Sequence, residues 1–412
     1  MHFAFGGSNT GPLPHPTTHE RTIPWVVGWG SGLATDRQWQ RAPGARRQPE
    51  KEAAGGGKSE ILIPAAAQYG DGPDPKPAEA ADVTDLPLTI ACWDYDRIRA
   101  LMDGRVRIEG CDPRFLTLSP EEVFFRAFRH AEFDVSELSF STYLMASARG
   151  DCPYIAIPVF VSRSFRHSGI YIRTDRGIER PADLKGRLVG VPEYQVTAAV
   201  WIRGILQDEY GLKPSDVTWR SGGIEQPGRH EKVPIKLPAD VKIEAIGEGK
   251  TLSGMLEAGE IEALVTPRAP SCFARGAPNV GRLFPDFRSE ERAYFEKTGI
   301  FPMMHVIGIR KELAAAHPWL GASLMKAFQA AKHEAYAAMR EVAALKVTLP
   351  WLTQELQETV ALMGEDFWPY GIEANRPSLD AFLRHHHEQG LSPKPPVPEE
   401  IFLPSAMEAA KV

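Results

Sequence analysis

From Leu86 onward, short apolar runs take turns with stretches whose apolar residues recur at helical spacing. Leu86–Cys92 reads as a strand that ends in the polar loop 93–97, and a helix follows. Residues 106–108 and 115–118 read as the next strand, and Ser119-Pro120-Glu121-Glu122 supplies an N-cap, a proline at the first helical position and early acids, which predicts a helix. Strands are expected at 133–140, 154–161, 168–173, 217–219, 242–246 and 262–266, with a helix over 251–258. This alternation predicts an α/β fold with mostly parallel sheets. From His317 the spacing turns helical over 319–345, 352–363 and 379–389, and a proline-rich tail covers 393–398. Residues 1–84 hold Gly55-Gly56-Gly57, Asp71-Gly72-Pro73-Asp74-Pro75-Lys76-Pro77 and no sustained periodicity, so a disordered extension is expected there.

The most informative stretch is 183–206. Lys185-Gly186 makes a turn, Leu188, Val189 and Val191 a buried strand, and Val200, Trp201, Ile205 and Leu206 the apolar face of a helix. Pro192, Glu193, Tyr194 and Gln195 therefore fall on a strand-to-helix junction, where free backbone N–H groups and the helix dipole favour an anion.

The chain has 412 residues, 43% of them hydrophobic and 24% charged, with a formal net charge of -6. That length exceeds one ordinary core, so two domains or a split domain are expected. No basic excess exists for a nucleic-acid backbone. Four scattered cysteines, Cys92, Cys111, Cys152 and Cys272, form neither a CxxC pair nor a disulfide framework, which suits a reducing compartment. No apolar run approaches the roughly 20 residues that span a bilayer, and no basic start with an apolar h-region opens the chain. A cytoplasmic protein is expected, without membrane or nucleic-acid partners; the long C-terminal helices suggest a homo-oligomer, a dimer.

Further motifs stand in one order along residues 86–405: Ile90-Ala-Cys-Trp-Asp-Tyr-Asp-Arg97, Phe133-Asp-Val-Ser-Glu137, Ser162-Arg-Ser-Phe-Arg-His167, Val191-Pro-Glu-Tyr-Gln195, Arg268-Ala-Pro-Ser-Cys-Phe273, Gly299-Ile-Phe-Pro-Met-Met-His305 and Gly364-Glu-Asp-Phe-Trp-Pro-Tyr370. Asp183-Leu-Lys-Gly186 with Val189-Gly-Val191 resembles a type II periplasmic-binding-protein fold, and the whole set resembles the 4,5-dihydroxyphthalate decarboxylases. The resemblance implies a two-lobed α/β fold with the ligand cleft between lobes: residues 85–174 in lobe 1, 175–298 in lobe 2, and 299–412 as the lobe 1 return with C-terminal helices. It also implies non-oxidative decarboxylation of an aromatic dicarboxylate to protocatechuate and carbon dioxide in phthalate breakdown, with no organic cofactor.

Such a reaction needs a base near a phenol, an acid near the ring carbon that carries the leaving carboxylate, cations for the retained carboxylate and an apolar place for the departing one. Arg163, Arg166 and Arg268 are candidates for gripping a carboxylate, against the bland reading of salt bridges. His167 and His305 are candidates for proton transfer, against packing roles. Asp94, Asp96, Glu137 and Glu193 each stand at or just past the C-terminal end of an expected strand; Glu193 ranks first as a catalytic acid or base, with N-capping or a buried ion pair as the alternative. Tyr95 and Tyr194 are candidates for hydrogen-bonding the hydroxyls. A divalent ion held by Asp94, Glu193 and His305 is open, although no spacing demands it. His385-His386-His387 is expected to be a solvated helix face rather than a metal cluster.

The rival function is a solute-binding protein that passes an aromatic carboxylate to a transporter without chemistry; fold alone does not separate the two. A precursor-synthesis enzyme on the same fold that consumes its own histidine would need a cysteine-rich iron site, which the scattered cysteines do not offer. Ser221-Gly222-Gly223 lacks the lysine and spacing of a phosphate loop, and neither GxSxG nor HExxH occurs.

Overall fold

Short β-branched and aliphatic runs find partners in two separate sheets in the computed structural model, which describes residues 85–230 and 235–409. Strands β1 (Leu86–Cys92), β2 (Cys111–Thr117), β3 (Val135–Ser139), β4 (Tyr154–Arg163) and β11 (Met303–Arg310) form the first, in the order β2-β1-β3-β11-β4. Strands β5 (Ile170–Arg173), β6 (Leu188–Val191), β7 (Thr218–Ser221), β8 (Lys242–Ala245), β9 (Ala263–Val265) and β10 (Val280–Arg282) form the second, in the order β10-β5-β9-β6-β7-β8. The expected extension over 1–84 lies outside the described residues. Two α/β sheets, with one strand of the first arriving after the whole of the second, give the two-lobed, type II periplasmic-binding-protein-like architecture.

The sheets are mixed rather than mostly parallel. Pairings of β1 with β2 and β3, and of β6 with β7 and β9, are parallel, but β5 and β11 run antiparallel to both of their neighbours. The cause is topological: β5 and β11 are the first strands after each crossing between lobes, so each starts at the cleft, where β3 and β6 end. The first crossing also falls earlier than expected. Strand β5 pairs in the second sheet, so the chain changes lobe over 164–169 and not after Thr174. There the two crossings touch, with Ser164 N–H donating to the Pro302 carbonyl at 3.1 Å.

Local signals hold where they are strong. Ser119 caps the helix Pro120–His130 by accepting from Glu122 N–H at 3.4 Å, and Thr251 caps Leu252–Ala258 through Gly254 N–H at 3.2 Å. The helix Arg376–Glu388, expected with lobe 1, packs on the lobe 2 helix Thr197–Tyr210: Arg203 donates to Gln389 at 2.7 Å, and Gln389 donates to the Val200 carbonyl at 3.0 Å. Gly204 permits this approach, since a Cβ there would lie 2.1 Å from His385 Nδ1. The histidine run is thus no solvated face. Its members do point in different directions, but His385 and His386 are buried, bonded to Asp208 at 2.8 Å and Ser392 at 2.5 Å, because the helix lies between both lobes.

Candidate active site

Between the two sheets lies a cleft of about 1180 Å³. Its lobe 1 wall comes from the helix Pro120–His130, through Glu121, Phe124 and Phe128, and from one face of the helix Phe140–Arg149, through Thr142, Ala146 and Arg149; its lobe 2 wall comes from the 192–198 junction and the 223–229 and 267–269 loops. The junction is where the sequence places it. Thr197 and Ala198, the first residues of their helix, line the cleft, and no side chain caps that helix, so its N-terminal dipole faces the cavity. Thr197 Oγ1 meets Ser139 Oγ at 3.1 Å and accepts from Ser141 N–H at 3.2 Å, which ties the floor of the cleft across the lobes.

On the lobe 1 side, Glu137 and His305 sit on adjacent strands. Glu137 is fully buried at the middle of β3, and its Oε1 lies 2.6 Å from His305 Nδ1 and accepts from Tyr95 OH at 2.6 Å. Its other oxygen accepts from Trp93 N–H at 2.8 Å. Burial alone would resist ionisation of this carboxyl, but the bond and charge of His305, with the Tyr95 and Trp93 donors, outweigh it and hold Glu137 below the usual carboxylate range. Burial, reinforced by the Glu137 charge, pushes the Tyr95 phenol far up, so it is a fixed donor. His305 lines the cleft, and with Nδ1 engaged its Nε2 is the nitrogen left for a ligand. The ladder between β4 and β11 slips on both sides of His305, and such an irregularity re-aims side chains beside functional clefts. Phe124 stands edge-on to the imidazole at 4.8 Å between centroids.

The candidate arginines separate. Arg166, at the crossing, lines the cleft, and its Nε donates to Met304 Sδ at 3.3 Å; among the described residues no carboxylate lies within 4 Å of it. Burial pushes its guanidinium down to about 10. Arg268 also lines the cleft but is 68% exposed and, among the described residues, reaches only Glu121, at 3.9 Å. Arg163 is not at the cleft. It is buried among the Phe301 and Pro369 carbonyls, each at 2.8 Å, and Asn375, with its guanidinium pushed down to about 9 by burial.

Glu193 lines the cleft, but as one half of an ion pair: its carboxylate, 1% exposed, accepts from Arg229 Nε at 2.7 Å and from Gln195 at 3.2 Å. Arg229 also reaches Glu121 across the cleft at 3.4 Å. Other candidates lie elsewhere. Tyr194 is buried in lobe 2 beneath Arg203, whose guanidinium stands 3.6 Å over its ring. His167 is buried between Phe284 and Tyr294, and burial pushes it down to about 4, so it is a neutral packing residue. Asp94 is at the surface, paired with Arg99, and Asp96 with Arg97 at 2.9 Å. Asp94, Glu193 and His305 therefore do not gather, and among the described residues no group of three or more His, Cys, Asp or Glu is placed to hold a metal.

The chain is 49% identical over 327 residues to a 4,5-dihydroxyphthalate decarboxylase from Comamonas testosteroni, covering 79% of this chain and 99% of that one. The chain belongs to the 4,5-dihydroxyphthalate decarboxylase family. A second 4,5-dihydroxyphthalate decarboxylase, from Pseudomonas putida, is 59% identical over 201 residues, covering 49% of this chain and 78% of that one. No protein-family model matches. Among solved structures, the periplasmic sulfonate-binding protein SsuA from Methylobacillus flagellatus aligns with 79% of this chain and 94% of its own at 12% identity and a TM-score of 0.48. The aliphatic sulphonate binding protein SsuA from Escherichia coli aligns with 78% of this chain and 99% of its own at 14% identity and a TM-score of 0.43.

Within this member of the 4,5-dihydroxyphthalate decarboxylase family, sequence reasoning missed Arg229 and Phe124 as cleft residues. Arg229 sits in a glycine-containing loop with no periodicity to mark it, and Phe124 reads as core on an amphipathic helix. The apolar face of that helix covers a wall of the cleft as well as the core. The Glu137–His305 pairing links residues 168 positions apart, beyond any local signal.

Proposed function

We propose that the protein is a carboxy-lyase that converts 4,5-dihydroxyphthalate to protocatechuate and carbon dioxide in phthalate breakdown, with His305 as the proton-transfer group and Glu137 as the residue that positions it. The observation that carries this reading is the 2.6 Å contact between His305 Nδ1 and a buried, ionised Glu137 at the wall of a cleft that also presents an unpaired Arg166. Family membership supports the substrate.

The chemistry follows from the ring. Each carboxylate of the substrate is para to one hydroxyl, so ionisation of that hydroxyl, which gives its proton to water, moves electron density to the carbon bearing the carboxylate; the oxygen takes a proton back from water once carbon dioxide has left. His305 Nε2 delivers a proton to that carbon, and the ring becomes a dienone. The bond to the carboxylate then breaks, its electron pair returns to the ring and carbon dioxide leaves. One carboxylate and one proton give one aryl C–H and one carbon dioxide. Glu137 holds the proton on Nδ1 and stabilises the imidazolium, as a buried carboxylate does for a working histidine. Phe124, beside His305, supplies apolar surface where the neutral product forms. Glu193, its carboxylate buried and paired with Arg229, acts as a structural anion in the cleft wall rather than as a base.

The four buried, unpaired cysteines support a reducing, cytoplasmic location. Purified protein incubated with 4,5-dihydroxyphthalate should release equal amounts of protocatechuate and carbon dioxide. Tight binding with no turnover would replace this reading with that of a solute-binding protein.

A further inference from the structure

Arg166 is half-buried in the wall of the cleft, and among the described residues no carboxylate stands within 4 Å to pair it. Here Nε is spent on a thioether sulfur, Met304 Sδ at 3.3 Å, and Glu291 acts on it only at a distance while bonding Ser168 N–H at 3.2 Å. Both Arg166 and its partner Met304 line the cleft, and His305 follows Met304 on β11. With Nε engaged by Met304 and no carboxylate within 4 Å among the described residues, the terminal nitrogens are left to meet a ligand in the cavity beside His305. A planar anion able to take two parallel N–H bonds fits that fork.

We infer that Arg166 is the anchor for the carboxylate that the enzyme retains, and so the residue that makes a second carboxylate, ortho to the leaving one, a condition of binding. The inference rests on the decarboxylase reading and adds a specificity rule to it. Two neighbouring carboxylates on one ring cannot share one site, so with one on Arg166 the other is the one presented to His305. The rule also accounts for a single turnover per molecule: the product keeps only the carboxylate that Arg166 holds, and no carboxylate remains in front of His305.

The test uses the whole protein and two probes that cannot react, phthalate with two carboxylates and benzoate with one. Wild type should bind phthalate at least roughly tenfold more tightly than benzoate in calorimetry. In Arg166→Met the phthalate affinity and the KM for 4,5-dihydroxyphthalate should worsen by roughly 10- to 100-fold, while Arg166→Lys, which keeps charge and loses the fork, falls between. Equal binding of the two probes by wild type, or failure to bind either, overturns the anchor even if Arg166→Met does not fold. So does a folded Arg166→Met with wild-type KM and phthalate affinity; turnover continuing in that case leaves the decarboxylase reading standing. Conversely, phthalate selectivity lost on substitution, in a protein that never turns over 4,5-dihydroxyphthalate, keeps the anchor and removes the decarboxylase.

Discussion

Replacing Glu137 with glutamine tests the centre of the site while changing almost no volume. In the native protein one carboxylate oxygen serves His305 and Tyr95, each at 2.6 Å, and the other serves Trp93 N–H at 2.8 Å. Glutamine has one carbonyl and one amide, so whichever way it turns, an NH2 group faces a buried donor. One unsatisfied donor costs about 1–3 kcal/mol of stability. The charge-assisted bond to an imidazolium, worth about 1.5–3 kcal/mol, is lost at the step where His305 carries the proton, so kcat should fall roughly 10- to 150-fold. Protocatechuate formation measured at saturating substrate, beside urea unfolding of the same preparation, separates the two effects. Because the folded-state pKa of Glu137 is depressed, its contribution to stability is present above the unfolded value near pH 4.3 and is lost as pH falls through the lower folded value. The variant should lack that portion of the acid transition. A folded Glu137→Gln protein with kcat within about threefold of wild type, against the loss estimated from the charge-assisted bond, would refute the dyad.

Three other expectations are independent of it. His167 is held neutral, at about 4 against an ordinary value near 6.5, so the unfolded chain binds the extra proton and stability should fall as pH drops from about 6.5 to 4, by up to about 1.4 kcal/mol per pH unit; His167→Phe should flatten that slope in urea titrations. Gly204→Ala should destabilise by about 1–3 kcal/mol through its clash with His385, whose Nε2 is held by Asp208 at 2.8 Å, whereas helix propensity alone would stabilise it. Arg268→Ala should change KM by less than about threefold, since its guanidinium is exposed and its one ion pair is 3.9 Å long; a tenfold rise would restore it as a principal substrate contact.

What the sequence disclosed was what depends on neighbours in the chain. The Ser119 cap, the Leu86–Cys92 strand and the 188–210 strand-to-helix junction each carry their own signals within a turn or two, and each appears where those signals put it. Strand β10, the helix Phe287–Thr298 and the extent of β11 were missed, because their apolar residues are few or are interrupted by Gly281, Arg292 and His305. The site divides the same way. Glu193, Arg166, Arg268 and His305 could be placed near a cleft from strand ends and crossings, but which way a side chain turns is decided by partners far away. Tyr194 faces inward because Arg203 covers its ring, Arg163 because Asn375 and two carbonyls receive it, and His167 because Phe284 and Tyr294 enclose it. Glu137 became the hub of the site only when β11 brought His305 beside it.

The place of β11 in the first sheet bears on how this protein is made. It fills the gap between β3 and β4, yet it is translated after the whole second sheet, with Glu137 and His305 168 positions apart. At about 5–20 residues per second, a ribosome needs on the order of 10–30 s to supply it. Until it arrives, β3 and β4, both buried in the finished sheet, hold unpaired edges open to other nascent chains. The strand that completes the active site is thus also the one whose late arrival closes the window for aggregation, so yield in a cell should depend on holding the half-built sheet apart until it comes.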